Sequence, residues 1–151
     1  RRRMYDREVD DPRLHRRYEI DRSFQAGALP HRAGRALAEI RETLECHYHV
    51  AFRSVALNYY RDGRDSVAFH RDRELRHLDD TLVIIVTLGS RRPFLIRPLD
   101  RSQRSIDLAP ASGDLLVMGG TCQQAWEHCV PKVVHAGPRI SVSLRWARAP
   151  F

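Results

Sequence analysis

The sequence is organised as one amphipathic helix followed by many short segments in which apolar and polar residues alternate. Between residues 30 and 47, Leu37, Ile40 and Leu44 recur at helical spacing, and Pro30 suits a first helical position. One helix and many short strands with polar turns favour a double-sheet β architecture, a jelly roll flanked by a helix. The predicted strands cover residues 54–60, 66–72, 82–88, 94–97, 106–108, 115–118, 124–130 and 140–146.

The length of 151 residues suits a single domain, residues 1–151, with three parts. Residues 54–146 would form the jelly-roll core, and residues 30–47 the helix that packs on a sheet. Residues 1–28 are polar and rich in arginine, and we interpret them as an N-terminal arm of loops and short strands. The arm is either mobile or a flap that touches a substrate.

The apolar runs, the net charge and the cysteines limit the partners and the setting that we expect for this chain. The longest apolar run, Leu82–Val86, is far too short to cross a bilayer, so we expect no membrane partner. The net charge of +7 favours a polyanionic partner such as nucleic acid, although a solvated basic surface explains it equally well. Three cysteines without a disulfide pattern indicate a reducing, cytoplasmic setting, and we expect a monomer.

His70 and Asp72 stand two residues apart on one predicted strand, so their side chains would share a face. His128, on a different predicted strand, is a candidate third ligand. Two imidazoles and one carboxylate, with coordination positions left open, are what a non-haem Fe(II) oxygenase site requires. A histidine beside an aspartate is also a common surface pair, so the pattern alone leaves both interpretations open.

The last predicted strand places two arginines on a face otherwise occupied by serines. Arg139 and Arg145 share this face with Ser141 and Ser143, whereas the intervening residues are apolar. A guanidinium binds a carboxylate through two parallel hydrogen bonds, so the face would suit an anion-binding cleft. A solvated outer face is the alternative.

The ordered set of these motifs resembles the AlkB family of Fe(II)- and 2-oxoglutarate-dependent dioxygenases, which repair alkylated nucleic acids by oxidative demethylation. The match lies between residues 54 and 146, in family order and near family spacing, and the first 53 residues match more loosely. The resemblance implies the double-stranded β-helix (jelly roll) of the 2-oxoglutarate dioxygenases. The matching segments read NYYRDGRDSV (58–67), HRDRE (70–74), TLGSRRPF (87–94), GDLLVM (113–118), WEHCVPK (126–132) and RISVSLR (139–145).

The resemblance also implies roles for individual residues. His70, Asp72 and His128 would ligate Fe(II). Arg139 would hold the distal carboxylate of 2-oxoglutarate, and Arg145 the carboxylate beside the metal. The remaining cosubstrate contacts would come from Asn58, Tyr60 and Ser141.

Substrate contacts are expected from four further residues. Glu74 resembles the acidic residue of the family that contacts the damaged base, although a surface glutamate is an equally good interpretation. Trp126 has the strand parity of His128 and would wall the site, unless it is a core residue. Tyr5 or Tyr18, in the N-terminal arm, would stack on a flipped base.

The implied reaction consumes O₂ and 2-oxoglutarate, and it releases succinate, CO₂ and formaldehyde from an N-methylated base in DNA or RNA. The base would come from a single strand or be flipped out of a duplex. Two alternatives stay open: a 2-oxoglutarate-dependent hydroxylase of a protein or small molecule, and a non-catalytic nucleic-acid-binding module on the same fold.

Two further features bear on ligand binding. The family strand usually reads R-x-N-x-T-x-R, whereas this chain has Ser141 in place of Asn and Ser143 in place of Thr. Ser143 keeps the hydroxyl, but Ser141 lacks the reach of the amide that it replaces. The segment 91–104 carries five arginines against one acidic residue. It would either follow a phosphate backbone or form a solvated hairpin.

Overall fold

The computed structural model describes residues 2–4, 7–9, 13–19 and 31–148. Within these residues the protein is mostly β-structure, with one long helix and one short helix. Every strand pairs antiparallel with its neighbours. The elements are β1 (Arg2–Met4), β2 (Arg7–Val9), β3 (Leu14–Glu19), α1 (His31–Tyr48), β4 (Ser54–Tyr60), β5 (Val67–His70), β6 (Thr81–Gly89), β7 (Leu95–Pro98), β8 (Ile106–Asp107), β9 (Leu115–Gly120), α2 (Cys122–Ala125), β10 (Trp126–Val130) and β11 (Arg139–Ala147).

Two sheets form the body of the molecule. The larger sheet has the strand order β3-β4-β11-β6-β9, and the smaller has the order β5-β10-β7-β8. One hydrophobic core lies between the sheets, since Val83 and Ile85 of β6 cluster with Phe94 and with Val130 of β10. This arrangement is the predicted jelly roll, and several predicted site residues lie on the inner faces of its sheets, among them Asn58 and Tyr60 of β4, Ser141 of β11 and His128 of β10.

Helix α1 packs on the outer face of the larger sheet. Its apolar positions Leu37, Ile40 and Leu44 join a second core with Val55 and Leu144 of the sheet. The helix runs from His31 to Tyr48, close to the predicted 30–47, because the helical spacing of its apolar face decided the prediction. Among the described residues, no helix is long and apolar enough to cross a membrane.

Leu144→Ala is expected to lower the free energy of unfolding by about 2–5 kcal/mol, because it leaves a cavity in a packed core. Leu144 is fully buried beneath α1, between β4 and β6. Urea unfolding followed by tryptophan fluorescence measures the change. Val134→Ala is the matched control, since Val134 is 86% exposed and its truncation should have almost no effect. A loss below about 1 kcal/mol for Leu144→Ala would contradict this account of the core.

Most strand boundaries differ from the sequence prediction by one or two residues, and three larger differences have an identifiable cause. The predicted strand 66–72 ends at His70, because Asp72 enters a turn in which its carbonyl accepts from the N–H groups of Leu75 and Arg76. The predicted strand 124–130 begins only at Trp126, because the carbonyl of Thr121 accepts from two following N–H groups and starts α2. Residues 14–19, assigned to the arm, form an edge strand of the larger sheet.

Candidate active site

Three potential metal ligands meet at the inner face of the smaller sheet. His70 ends β5, and it lies directly opposite His128 of β10 in the strand register. Asp72 lies in the turn after β5 rather than on the strand, and its carboxylate still points to the two imidazoles. The three ligand atoms lie within 4.8 Å of one another, which is compact enough to hold one metal ion.

The two imidazoles are held in forms that can donate a lone pair to a metal. His70 Nδ1 lies 2.9 Å from the carbonyl oxygen of Ala68, so it carries the proton and leaves Nε2 free. Burial, together with the neighbouring His70, lowers the pKa of His128 to about 4. His128 is therefore a neutral imidazole at neutral pH, which is the form that ligates metals.

Asp72 is fixed at both its backbone and its carboxylate. Its N–H donates to Oε1 of the buried Gln123 at 2.9 Å, which ties the ligand turn to α2. Arg145 Nε donates to Oδ2 at 2.7 Å, and Arg145 Nη2 donates to Oδ1 at 3.3 Å. Burial alone would raise the pKa of Asp72, but the charge and hydrogen bonds of Arg145 outweigh it and lower the pKa. The carboxylate is thus ionised, with lone pairs left for a cation.

Arg139 is a buried cation with unused hydrogen-bonding capacity. It begins β11, is 1% exposed, and its Nη2 donates to Thr87 Oγ1 at 3.3 Å. Its Nε and Nη1 are buried without a hydrogen-bond partner in the part of the chain that the structure describes. Such groups are costly to leave unpaired, so the arrangement fits a site that an anionic ligand completes.

The polar residues of β4 and β11 lie side by side on the inner face of the larger sheet. Asn58 is opposite Ser141, and Tyr60 is opposite Arg139. Asn58, Tyr60 and Ser141 line a cavity with ≈ 400 Å³ of empty space, which they share with all three potential metal ligands. The structure therefore brings the predicted metal ligands and these predicted cosubstrate contacts to one cavity.

Tyr60 is surrounded by arginines at the inner end of the site. The guanidinium carbons of Arg13, Arg92 and Arg139 lie 6.0, 5.9 and 5.8 Å from the centre of its ring. Burial raises the pKa of the Tyr60 hydroxyl, and the three cations offset this only in part. The phenol is therefore protonated at neutral pH and can donate a hydrogen bond to an anion.

The predicted substrate contacts are more scattered. Glu74 is 44% exposed, and Arg17 Nη1 lies 3.4 Å from its carboxylate. Trp126 lines a second, apolar cavity that shares His128 and Phe94 with the first. Tyr5 lies outside the described residues. The structure does not bring Tyr18 to the cavity: it is 8% exposed, and strand parity places it on the outer face beside Val55.

The arginine-rich segment 91–104 is only partly a free surface. Arg92 is fully buried, and its guanidinium donates to the carbonyl oxygens of Asp62, Asp65 and Pro131, which fixes the β4–β5 loop. Arg97 pairs with Glu127 at 2.6 Å. Both arginines are therefore structural, and the exposed cations of the segment are Arg91, Arg101 and Arg104.

Sequence reasoning missed two residues that contact Asn58 from the N-terminal side. Arg13 lines the cavity, and its Nε donates to Asn58 Oδ1 at 2.8 Å. His15 Nδ1 lies 2.9 Å from the same oxygen. Basic residues at the alternate positions 13, 15 and 17 could have indicated a shared strand face. The many other arginines of the arm concealed this pattern.

The donor set fits a divalent iron and a dianionic cosubstrate. Two imidazoles and one carboxylate suit Fe(II), with coordination positions left for other ligands. The unpaired nitrogens of Arg139 and the hydroxyl of Tyr60 suit a carboxylate a short distance away. Arg145 lines the same cavity and is paired with Asp72.

The comparisons with known proteins agree with this geometry. The sequence model of the family described as "2OG-Fe(II) oxygenase superfamily" matches residues 2–145. A crystal structure of an oxidoreductase of the 2OG-Fe(II) oxygenase family from Burkholderia pseudomallei superposes with a TM-score of 0.60 at 20% identity, and it covers 89% of this chain and 67% of that one. The fold and the site define a 2OG-Fe(II) oxygenase, and the chain belongs to that superfamily.

Curated relatives narrow the assignment. The chain is 29% identical over 115 residues to alpha-ketoglutarate-dependent dioxygenase alkB homolog 3 of Mus musculus, covering 70% of this chain and 40% of that protein. It is 30% identical over 118 residues to DNA oxidative demethylase ALKBH2 of Homo sapiens, covering 72% of this chain and 45% of that protein. Within the superfamily, the chain is a member of the AlkB family. It spans about two fifths of the length of these relatives.

Proposed function

We propose that this protein demethylates N-alkylated bases in DNA. The same assay, run on an RNA oligonucleotide, tests whether RNA is also a substrate. The observation that carries the proposal is the shared cavity, in which His70, Asp72 and His128 lie together with Asn58, Tyr60 and Arg145. Arg139, with two unpaired nitrogens, lies next to Tyr60 of this cavity. The names of similar proteins support the substrate class, since one relative is a DNA oxidative demethylase.

His70 Nε2, His128 and the Asp72 carboxylate would hold Fe(II), for which the tautomer of His70 and the neutral state of His128 prepare them. When bound, Fe(II) with 2-oxoglutarate and O₂ supplies an oxidant that hydroxylates an N-methyl group, which then leaves as formaldehyde. The protein's own contribution is to position the cosubstrate and the base and to exclude water.

Arg139 would bind the distal carboxylate of 2-oxoglutarate through its unpaired Nε and Nη1, and the Tyr60 hydroxyl would donate to the same group. Arg145 would keep Asp72 ionised and lie beside the carboxylate near the metal. Asn58 and Ser141 would add hydrogen bonds from the middle of the cavity wall. These roles give Asn58, Tyr60, Ser141 and the two arginines a partner on the dianion.

The surface charge suits a polyanionic substrate. A net charge of +7 attracts nucleic acid, and the exposed Arg91, Arg101 and Arg104 would contact phosphates. A methylated base must leave its stack to reach the residues of this cavity, which costs least in a single strand. Glu74 would then contact the base edge and Trp126 would wall the site, with the protein acting as a monomer in the cytoplasm.

The test is the intact mass of a single-stranded oligonucleotide carrying 1-methyladenine or 3-methylcytosine. The protein is incubated with it aerobically, with Fe(II), 2-oxoglutarate and ascorbate, beside a His128→Ala control. We expect one methyl group to be lost with the wild type only. An unchanged mass while succinate accumulates would contradict this substrate class and favour a hydroxylase of a protein or small molecule. An RNA oligonucleotide in parallel decides between the two nucleic acids.

A further inference from the structure

The segment that leads into β3 presents functional side chains to the cavity. Arg13, His15 and Arg17 occupy alternate positions, so they share the inner face of the larger sheet. Arg17 reaches Glu74, whereas Arg13 and His15 both reach Asn58. The edge strand of the sheet therefore contacts a predicted cosubstrate residue directly.

The two contacts to Asn58 converge on one atom. Arg13 Nε and His15 Nδ1 lie 2.8 and 2.9 Å from Asn58 Oδ1. The arginine nitrogen can only donate, so the atom that it meets must be the amide oxygen. Because that oxygen can only accept, the nearby Nδ1 of His15 must carry its proton. The chemistry of the donors thus fixes which branch of the Asn58 amide faces β3.

Because the position of the Asn58 amide oxygen is determined, the position of its amide nitrogen is determined as well. The NH₂ group occupies the other branch of the planar carboxamide, and Asn58 is 7% exposed on the wall of the cavity. A flipped amide would place its NH₂ group against Nε of Arg13, where two donors would meet without an acceptor, even if His15 changed its tautomer. Ser141, opposite Asn58 on β11, offers one hydroxyl donor on a shorter side chain.

We propose that Arg13 and His15 are positioning residues for the cosubstrate, because they lock the Asn58 amide with its NH₂ group available to a carboxylate in the cavity. This inference rests on the proposed function only in its identification of 2-oxoglutarate as the ligand. Arg13 also carries a charge that could attract the dianion directly, and the test has to separate that effect from the action through Asn58.

A double-mutant cycle makes this separation. The dissociation constant of 2-oxoglutarate is measured by titration calorimetry on the full chain loaded with Mn(II), which does not turn over. Arg13→Met is expected to raise the dissociation constant about tenfold, as the loss of a charge-assisted hydrogen bond implies. In the Asn58→Ala background the same substitution should raise it less than about twofold, because the amide that Arg13 orients is gone.

The controls use the same strand. Arg16→Met removes a neighbouring charge from the opposite face of β3 and should leave the dissociation constant unchanged. His15→Ala gives a second cycle with Asn58→Ala, and it too should show coupling. Thermal unfolding of every variant without ligand tests whether it is folded. If Arg13→Met or His15→Ala is destabilised, the cycle built on the other variant decides.

Three results would overturn the proposal. Equal losses in both backgrounds would show that Arg13 acts by its own charge, and an unchanged dissociation constant for both single variants would show that the contacts have no role in binding. A wild type that binds no 2-oxoglutarate would remove the proposed function as well. A wild type that binds 2-oxoglutarate without demethylating any oligonucleotide removes only the proposed substrate and leaves the cycle valid.

Discussion

Asp72→Asn is expected to reduce metal affinity by more than about 100-fold, beyond the 10- to 100-fold that the loss of an outer partner of a ligand costs. Asparagine keeps the shape of the side chain and one oxygen for Arg145, but it lacks the negative charge that a divalent cation requires. The imidazoles of His70 and His128 remain as the only other ligand candidates within the described cluster. Two ligands without a charge hold Fe(II) weakly, so demethylation should disappear as well.

The measurement is equilibrium dialysis against Mn(II) or Fe(II) under anaerobic conditions, with Asp100→Asn as the control. Asp100 is an exposed carboxylate that is far from the cluster in the sequence. The Asp100→Asn variant should therefore bind metal as the wild type does. Asp72→Ala is the harsher variant, because it leaves the buried Arg145 without its carboxylate and costs about 3–5 kcal/mol of stability. Metal affinity within about threefold of the wild type in Asp72→Asn would contradict the assignment of the site.

Arg139→Met is expected to weaken 2-oxoglutarate binding about 100-fold, the loss typical of removing one partner of a buried charge pair. Metal affinity should stay unchanged, since Arg139 contacts Thr87 and Tyr60 rather than the metal cluster. The free protein should be as stable as the wild type or more stable, because a buried guanidinium with two unpaired nitrogens is removed. Increased stability together with lost binding is the signature of a residue kept for its ligand.

Calorimetric titration with 2-oxoglutarate and urea unfolding without it measure the two effects. Arg64→Met, an exposed arginine whose side chain is 89% accessible, is the matched control and should change neither. Unchanged 2-oxoglutarate binding in Arg139→Met would remove this residue from the cosubstrate site. A large loss of stability in the free protein would indicate that Arg139 serves the fold instead.

The sequence predicted the fold where alternation was strict. Residues 54–60 and 140–146 alternate along their whole length, and β4 and β11 occupy nearly the same bounds. The pairing of these two strands brings Asn58 opposite Ser141 and Tyr60 opposite Arg139, so the predicted faces translated directly into a cavity wall. Periodicity was sufficient here because one face of each strand is apolar and packs against α1.

The prediction failed where a single tertiary contact sets the backbone. Asp72 leaves its strand because the side chain of Gln123 binds its N–H, and no local pattern reveals that partner. Arg92 was counted with a surface segment, although it is buried against carbonyl oxygens of residues 62–65 and of Pro131, which are distant in the chain. Arg13 and His15 were hidden in an arm whose many arginines carry no periodic apolar signal.

The most direct test of the central claim is the ratio of succinate formed to methyl groups lost in one reaction. The purified protein is supplied with Fe(II), O₂, 2-oxoglutarate and a methylated oligonucleotide, and both products are quantified over the same interval. We predict about one succinate for each methyl group lost, as the reaction stoichiometry requires, and far less succinate with the unmethylated oligonucleotide. Succinate formed at the same rate with either oligonucleotide, while the methyl groups persist, would contradict the account.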